Sequence, residues 1–167
     1  MKTSTHNFVE GNTMLRGNRS IHLLDIENML STGEIEVRAI NAVFADYKEQ
    51  VPMGKDDLVV VGVSSAEGLL AVGMSDLRNA RLLYRPSKDG ADLALQGVLD
   101  GEQLEARFAL VHVASGDGGF SRSVAALAGR GARVTVVSRT ESLSKRLRLA
   151  AHQIIELRIK TIGLDAA

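Results

Sequence analysis

The sequence predicts an α/β protein, a three-layer α/β/α sandwich with a mostly parallel central sheet. Continuous apolar, β-branched runs such as Leu58-Val-Val-Val-Gly-Val63 suit strands covered on both faces. Such runs alternate with stretches of helical periodicity, the order that builds a parallel sheet through right-handed crossovers. Of 167 residues, 45% are hydrophobic and 24% charged, which suits one globular domain and excludes a chain disordered throughout.

Residues 1–19 mix Asn, Gly, Thr and Ser without periodicity and are expected to form an irregular arm; one domain follows over 20–160, then a small polar tail over 161–167. The first strand is Ile21 to Asp25. From Gly33 to Gln50, Ile40, Val43, Phe44, Tyr47 and Val51 recur at helical spacing and Pro52 closes the segment. After the second strand, Leu58–Val63, the run Ser64-Ser-Ala-Glu67 offers a helix cap of the Ser-x-x-Glu type. Ala80 to Tyr84 is a third, shorter strand, and Gly90 to Leu99 a helix with Leu95, Val98 and Leu99 on one face. Phe108 to Val113 is the fourth strand, Phe120 to Ala128 a helix stopped by Gly129 and Gly131, and Arg133 to Val137 the fifth strand. A last helix is expected to carry Leu143, Leu147, Ala150, Ala151 and Ile154 on one stripe, before Ile155, Leu157 and Ile159 alternate as an edge strand.

Composition narrows the chemistry. There is no cysteine, which removes thiol nucleophiles, thiolate zinc sites and disulfides. Lys plus Arg equals Asp plus Glu at 20 each, so a polyanion must be met by local segregation of charge. Aromatic residues are 4%, too few for a surface that binds strands mainly by stacking bases. No apolar run approaches the roughly 20 residues of a membrane span, and Met1 to Ser20 lacks the apolar centre of a signal peptide, so the cytoplasm is expected and no membrane partner is.

In an open parallel sheet ligands bind outside the carboxyl ends of the strands, and acids fall there. Asp25 closes the first strand, Asp117 follows the fourth, and Asp89 and Asp92 follow the third, where either suits the start of a helix. Carboxylates gathered a few ångströms apart need a cation, and all-oxygen ligation suits Mg²⁺ or Mn²⁺, which stabilises the charge built up when water attacks a phosphodiester.

The blocks His22-Leu-Leu-Asp25-Ile-Glu-Asn28, Lys88-Asp-Gly-Ala-Asp92-Leu-Ala-Leu95 and Val113-Ala-Ser115-Gly-Asp117-Gly-Gly-Phe120, followed by Gly131-Ala-Arg-Val134, together resemble the NYN domain family of PIN-like nucleases. The likeness runs from about Ile21 to Leu157 and takes in Ser142-Leu-Ser-Lys-Arg-Leu147-Arg-Leu-Ala-Ala151, similar to the family's final helix. It implies a PIN-like sandwich and metal-dependent cleavage of single-stranded RNA, with Asp25, Asp92 and Asp117 as catalytic, metal-holding acids and Asn28 as their polar companion. The resemblance, not spacing, selects Asp92 for the metal and leaves Asp89 as a cap. One departure is Gly119, where the family commonly has a second acid two residues after its aspartate; three acids can hold one Mg²⁺ while a second metal would be held more weakly, and the alternative of a catalytically weakened module rests on this.

Other residues are weighed against plainer roles. Ser115 either orients water or phosphate or stabilises its turn. Glu27, on extended backbone pointing the other way from its neighbour, is read as structural or solvent-facing, and Lys88 as a solvated lysine in preference to a phosphate contact. Phe120 is read as a core anchor, and the Gly-rich turn fails the G-x-G-x-x-G pattern at Ser121. His22 and His112 lie within strands and face away from the neighbouring acids, so they are expected to be buried. Between residues 130 and 160, Arg130, Arg133, Arg139, Lys145, Arg146, Arg148, Arg158 and Lys160 outnumber Glu141 and Glu156. Arg139, Lys145, Arg146 and Arg148 are the candidate RNA contacts. The alternative reading is a catalytically weakened PIN-like module that binds RNA or protein; the sequence leaves the oligomeric state open.

Overall fold

The structure, a computed structural model, describes residues 17–30 and 35–160; the expected arm up to residue 16 and the expected tail lie outside the described residues. Strands β1 (Ser20–Asp25), β2 (Leu58–Val63), β3 (Arg81–Tyr84), β4 (Leu110–Ala114), β5 (Val134–Ser138) and β6 (Gln153–Glu156) form one sheet in the order β3-β2-β1-β4-β5-β6, with every pairing parallel. The chain lays β2 and β3 on one side of β1, then crosses back to place β4 on the other. The crevice between the carboxyl ends of β1 and β4 is therefore the point where strand order reverses, the usual ligand position of such sheets.

Helices cover both faces. On one lie α1 (Ile26–Leu30), α2 (Val37–Gln50) and α3 (Ala66–Gly73), packed on Leu24, Val61, Val63 and Val137. On the other, α4 (Gly90–Gly101), the short α5 (Leu104–Arg107), α6 (Ser121–Gly129) and α7 (Lys145–Ala150) pack on Ile21, Leu23, Val111, Val113, Val134 and Val136. Because successive strand residues face opposite ways, Asp25 and Ser115 continue the Ile21–Leu23 and Val111–Val113 series toward α4. At Gly62 in β2, a Cβ would stand 2.8 Å from Leu95 Cγ and 2.9 Å from the Ala91 carbonyl. The bare backbone there lets the first turns of α4 lie against the sheet, which carries Asp92 to its carboxyl edge. No helix among the described residues is long and apolar enough to cross a membrane.

The elements differ from expectation at their ends. The helix foreseen from Gly33 starts at Val37, residues 31–34 lying outside the described ones. α3 is capped by Ser65, whose hydroxyl accepts the Gly68 N–H at 3.0 Å, whereas Ser64 is occupied by Glu27. β4 starts at Leu110 because α5 takes up Leu104–Arg107, leaving Phe108 as a buried anchor beyond its end. The last helix is much shorter than its apolar stripe: Ser144 caps it by accepting the Leu147 N–H at 3.1 Å, Ala151 is already extended, and Ile154 belongs to β6. There pairing with β5 overrides helical periodicity. β6 ends at Glu156, so of the expected edge-strand residues only Ile155 lies within it. Beyond it the chain is held to α2, where the Gln50 amide donates to the Arg158 carbonyl at 2.8 Å and accepts the Arg158 N–H at 2.8 Å.

Candidate active site

The crevice at the ends of β1 and β4 is lined by a hydrogen-bonded web that starts at Asp25. This last residue of β1 is 3% exposed. Its Oδ2 accepts the Ser115 hydroxyl at 2.8 Å and its Oδ1 the Asn28 N–H at 3.2 Å. The Asn28 side chain reaches across the strands, its Oδ1 accepting the Gly116 N–H at 2.9 Å. Ser115 Oγ accepts the Asp117 N–H at 3.1 Å, and Asp117 Oδ1 in turn accepts the Gly119 N–H at 2.6 Å, capping the 3₁₀ turn Gly118–Phe120. Asn28 and Ser115 thus hold the Asp25 carboxylate and the Asp117 loop in register. The Ser115 hydroxyl proton is committed to Asp25.

Asp92 enters from α4. It sits in the first turn, after Asp89 at the N-cap, whose side chain makes no capping bond. Burial, then the charge of Asp25 and a hydrogen bond with it, then Asp117 and Asp89, push the Asp92 carboxyl up to about 7. Burial also raises Asp25, against the lowering effect of its bonds from Ser115 and Asn28. Both carboxyls are therefore raised above the ordinary aspartate value, and the hydrogen bond between them makes their proton a shared one. No Lys or Arg among the described residues forms an ion pair with Asp25, Asp92 or Asp117.

The three acids share the crevice but are not a closed ligand set. Among the described residues, no group of three or more His, Asp or Glu is drawn together closely enough to hold a metal ion as it stands. Asp25 and Asp92 are joined, while the Asp117 carboxylate is turned back onto Gly119. The chemistry of the donors nevertheless fits a hard cation. Asp92 is held up near 7 by burial and by the negative charge of Asp25, which a cation would offset, and oxygen donors lie on three different segments.

The surrounding residues show what sequence reasoning missed. Glu27, expected on extended backbone as structural or solvent-facing, lies instead in α1. Its Oε1 accepts both the N–H and the hydroxyl of Ser64, at 3.0 and 2.6 Å, tying the end of β1 to the end of β2. Gln96 lies one turn after Asp92 and reaches the Asp117 loop, its Nε2 3.5 Å from where a Cβ of Gly119 would be. The i, i+4 spacing from Asp92 was the available signal; reading only for acids passed over it. Arg139 is largely tied into the fold: its Nη2 donates to the Asn28 carbonyl at 3.3 Å and to Ser142 Oγ at 2.8 Å, and its Nη1 pairs with Glu141. Lys145, Arg146 and Arg148 are exposed and enter no ion pair among the described residues. Arg130 pairs with Glu105 and Lys160 with Glu49, which removes them from a free basic face. Phe120 is fully buried in the core, as expected.

No protein-family model matches the chain, and no curated protein sequence matches it. Among solved structures, it is similar to a protein of unknown function from Vibrio parahaemolyticus, with a TM-score of 0.60 at 18% identity, covering 84% of this chain and 93% of that one. At that identity the likeness is one of fold, and the chemistry of the crevice rests on this chain's own side chains.

Proposed function

We propose that the protein is a cytoplasmic, metal-dependent ribonuclease of the PIN-like type that hydrolyses phosphodiester bonds of single-stranded RNA. The observation that carries this reading is the meeting of Asp25 and Asp92 at the reversal of strand order, with Asp117 on the neighbouring loop and no Lys or Arg among the described residues paired with any of the three. Asp25, Asp92 and Asp117 would hold Mg²⁺ or Mn²⁺. When bound, such a cation supplies charge stabilisation to the phosphorane-like transition state and lowers the pKa of a water. The chain's own contribution is positional. Ser115 and Asn28 fix the Asp25 carboxylate, Asn28 braces the loop that carries Asp117, and Gly62 lets α4 deliver Asp92. The exposed Lys145, Arg146 and Arg148 supply a salt-sensitive attraction for the RNA backbone, which the acids alone would repel.

The test is calorimetric titration of Mn²⁺ into the wild type and Asp117→Ala, with cleavage of a mixed single-stranded RNA followed in parallel. The reading expects Mn²⁺ binding that weakens with Asp117→Ala and a cleavage rate that falls by about 100-fold or more. Full cleavage by a folded Asp117→Ala variant would sink it. A second reading, a module that binds RNA but cleaves weakly, is favoured by Gly119 and by the capping bond that occupies the Asp117 carboxylate. Gly119→Asp separates the two: a large rise in cleavage identifies a weakened nuclease, and equal rates in both forms mean that three acids suffice.

A further inference from the structure

The turn after Asp117 is bare where two long donors approach it. Gly118 and Gly119 have no side chains, and a Cβ at Gly119 would stand 3.5 Å from Gln96 Nε2, while one at Gly118 would stand 3.6 Å from Arg146 Nη2. The donors come from separate elements, α4 and α7. The register of α7 on the loop is firm, because the Ser144 N–H donates to the Gly116 carbonyl at 2.9 Å and Gly116 has no room for a Cβ, which would lie 2.2 Å from the Ser142 carbonyl oxygen. Neither the Gln96 amide nor the Arg146 guanidinium has a hydrogen-bond partner among the described residues.

We propose that Gln96 and Arg146 form a phosphate seat over the Gly118–Gly119 turn, taking a backbone phosphate of single-stranded RNA next to the phosphodiester that lies at the carboxylates. An amide donates to a phosphate oxygen without adding charge, so Gln96 binds there without worsening the repulsion around Asp92; a glutamate at the same position would worsen it. The guanidinium supplies the charge and a planar fork matched to two phosphate oxygens. The paired glycines keep the turn low enough for the phosphate to reach both donors. The proposal deepens the nuclease reading and rests on it for the identity of the polymer, but it is read out by binding rather than by hydrolysis.

The experiment measures fluorescence anisotropy of a labelled, mixed-sequence single-stranded RNA in EDTA, over a range of salt, with melting temperatures taken alongside. Arg146→Ala is expected to weaken binding about 10-fold and to reduce the salt slope by about 0.7, the loss of one phosphate contact. Arg133→Ala, the same charge change just before β5 at the amino edge of the sheet, is expected to cost less than about 2-fold. Gln96→Glu is expected to weaken binding about 10-fold or more, and Gln96→Ala about 3-fold. Equal losses for Arg146→Ala and Arg133→Ala with none for Gln96→Glu would overturn the seat, as would no RNA binding by the wild type. Parallel assays in Mn²⁺ keep the two readings apart. The expected binding pattern without any cleavage keeps the seat and removes the hydrolase. Cleavage lost in Asp117→Ala, with Gln96→Glu binding at wild-type strength, keeps the hydrolase and removes the seat.

Discussion

Two polar clusters share the strand pair β1 and β4: the imidazoles of His22 and His112 midway along it, and the carboxylates around Asp25 at its carboxyl end. The imidazoles are register partners and stack with centroids 4.4 Å apart and planes 5° from parallel. His22 is satisfied at both nitrogens, Nδ1 against the Tyr47 hydroxyl at 2.8 Å and Nε2 against Asp57 Oδ2 at 3.1 Å. Asp57 also accepts the N–H groups of Ser20 and Gly54, both at 2.7 Å. Burial pushes the Asp57 carboxyl up, yet these bonds and His22 outweigh it and hold Asp57 below the ordinary aspartate value. Three residues along the same strand, Asp25 and Asp92 have the opposite balance: burial raises both, and the charge of Asp25 raises Asp92 further. A buried polar group that exists for the fold is given partners. One left short of neutralising charge, at the point where strand order reverses, marks the place where something else binds.

The sharpest way to break this contrast is to remove a partner from the network around His22. Asp57→Ala strips three donors of their acceptor, including that of a fully buried histidine, and should cost about 3 kcal/mol, a fall in Tm of roughly 6–12 °C. An unchanged Tm would mean the network is ornamental. A pH scan examines the same cluster more gently. Burial, and then the charge of His22, lower His112 to about 4, and burial lowers His22. The unfolded chain thus binds protons that the folded one refuses. This stability is fully present above about 6.5 and is lost as pH falls toward 4, amounting to about 3 kcal/mol for His112 alone. His112→Leu, which also removes the unpartnered Nδ1, should flatten the acid limb of Tm against pH. The same limb in variant and wild type would place acid sensitivity elsewhere.

This contrast also separates what the sequence made legible from what it did not. Leu58–Val63 is read to the residue because a strand buried on both faces writes one uninterrupted apolar run. Asp25 and Asp117 were visible because each follows an apolar run and parallel sheets gather such ends, whereas position alone left Asp92 level with Asp89 and only the resemblance chose between them. The stack of His22 on His112 was not visible: both histidines could be placed in strands, but nothing local says that the first and fourth strands are neighbours. The Asp117 cap on Gly119 depends on one side-chain torsion, which no periodicity encodes. Helix α7 was misjudged because Ala151 and Ile154 fit a helical stripe as well as they fit the sheet, and only pairing with β5 decides between them.

The smallest expected effect has the opposite sign from those on the imidazole side. In the metal-free protein, Asp92 binds its proton more tightly folded than unfolded, so its stabilising effect is complete below an ordinary aspartate pKa of about 4 and fades as pH rises through about 7. Asp92→Asn keeps the shape and hydrogen-bonding reach of the side chain while removing the repulsion. With allowance for the half-exposed position, it should stabilise the metal-free protein by about 1 kcal/mol at pH 8, a rise in Tm of roughly 2–4 °C, and by much less at pH 5. Thermal melts at the two pH values, in EDTA, measure this. Saturating Mn²⁺ should reverse the order, because an ion that binds only the folded state stabilises the wild type in proportion to its affinity and the variant has lost a ligand. A variant that is destabilised at pH 8 in EDTA would show that Asp92 is a structural carboxylate like Asp57, and the two clusters would then be of one kind.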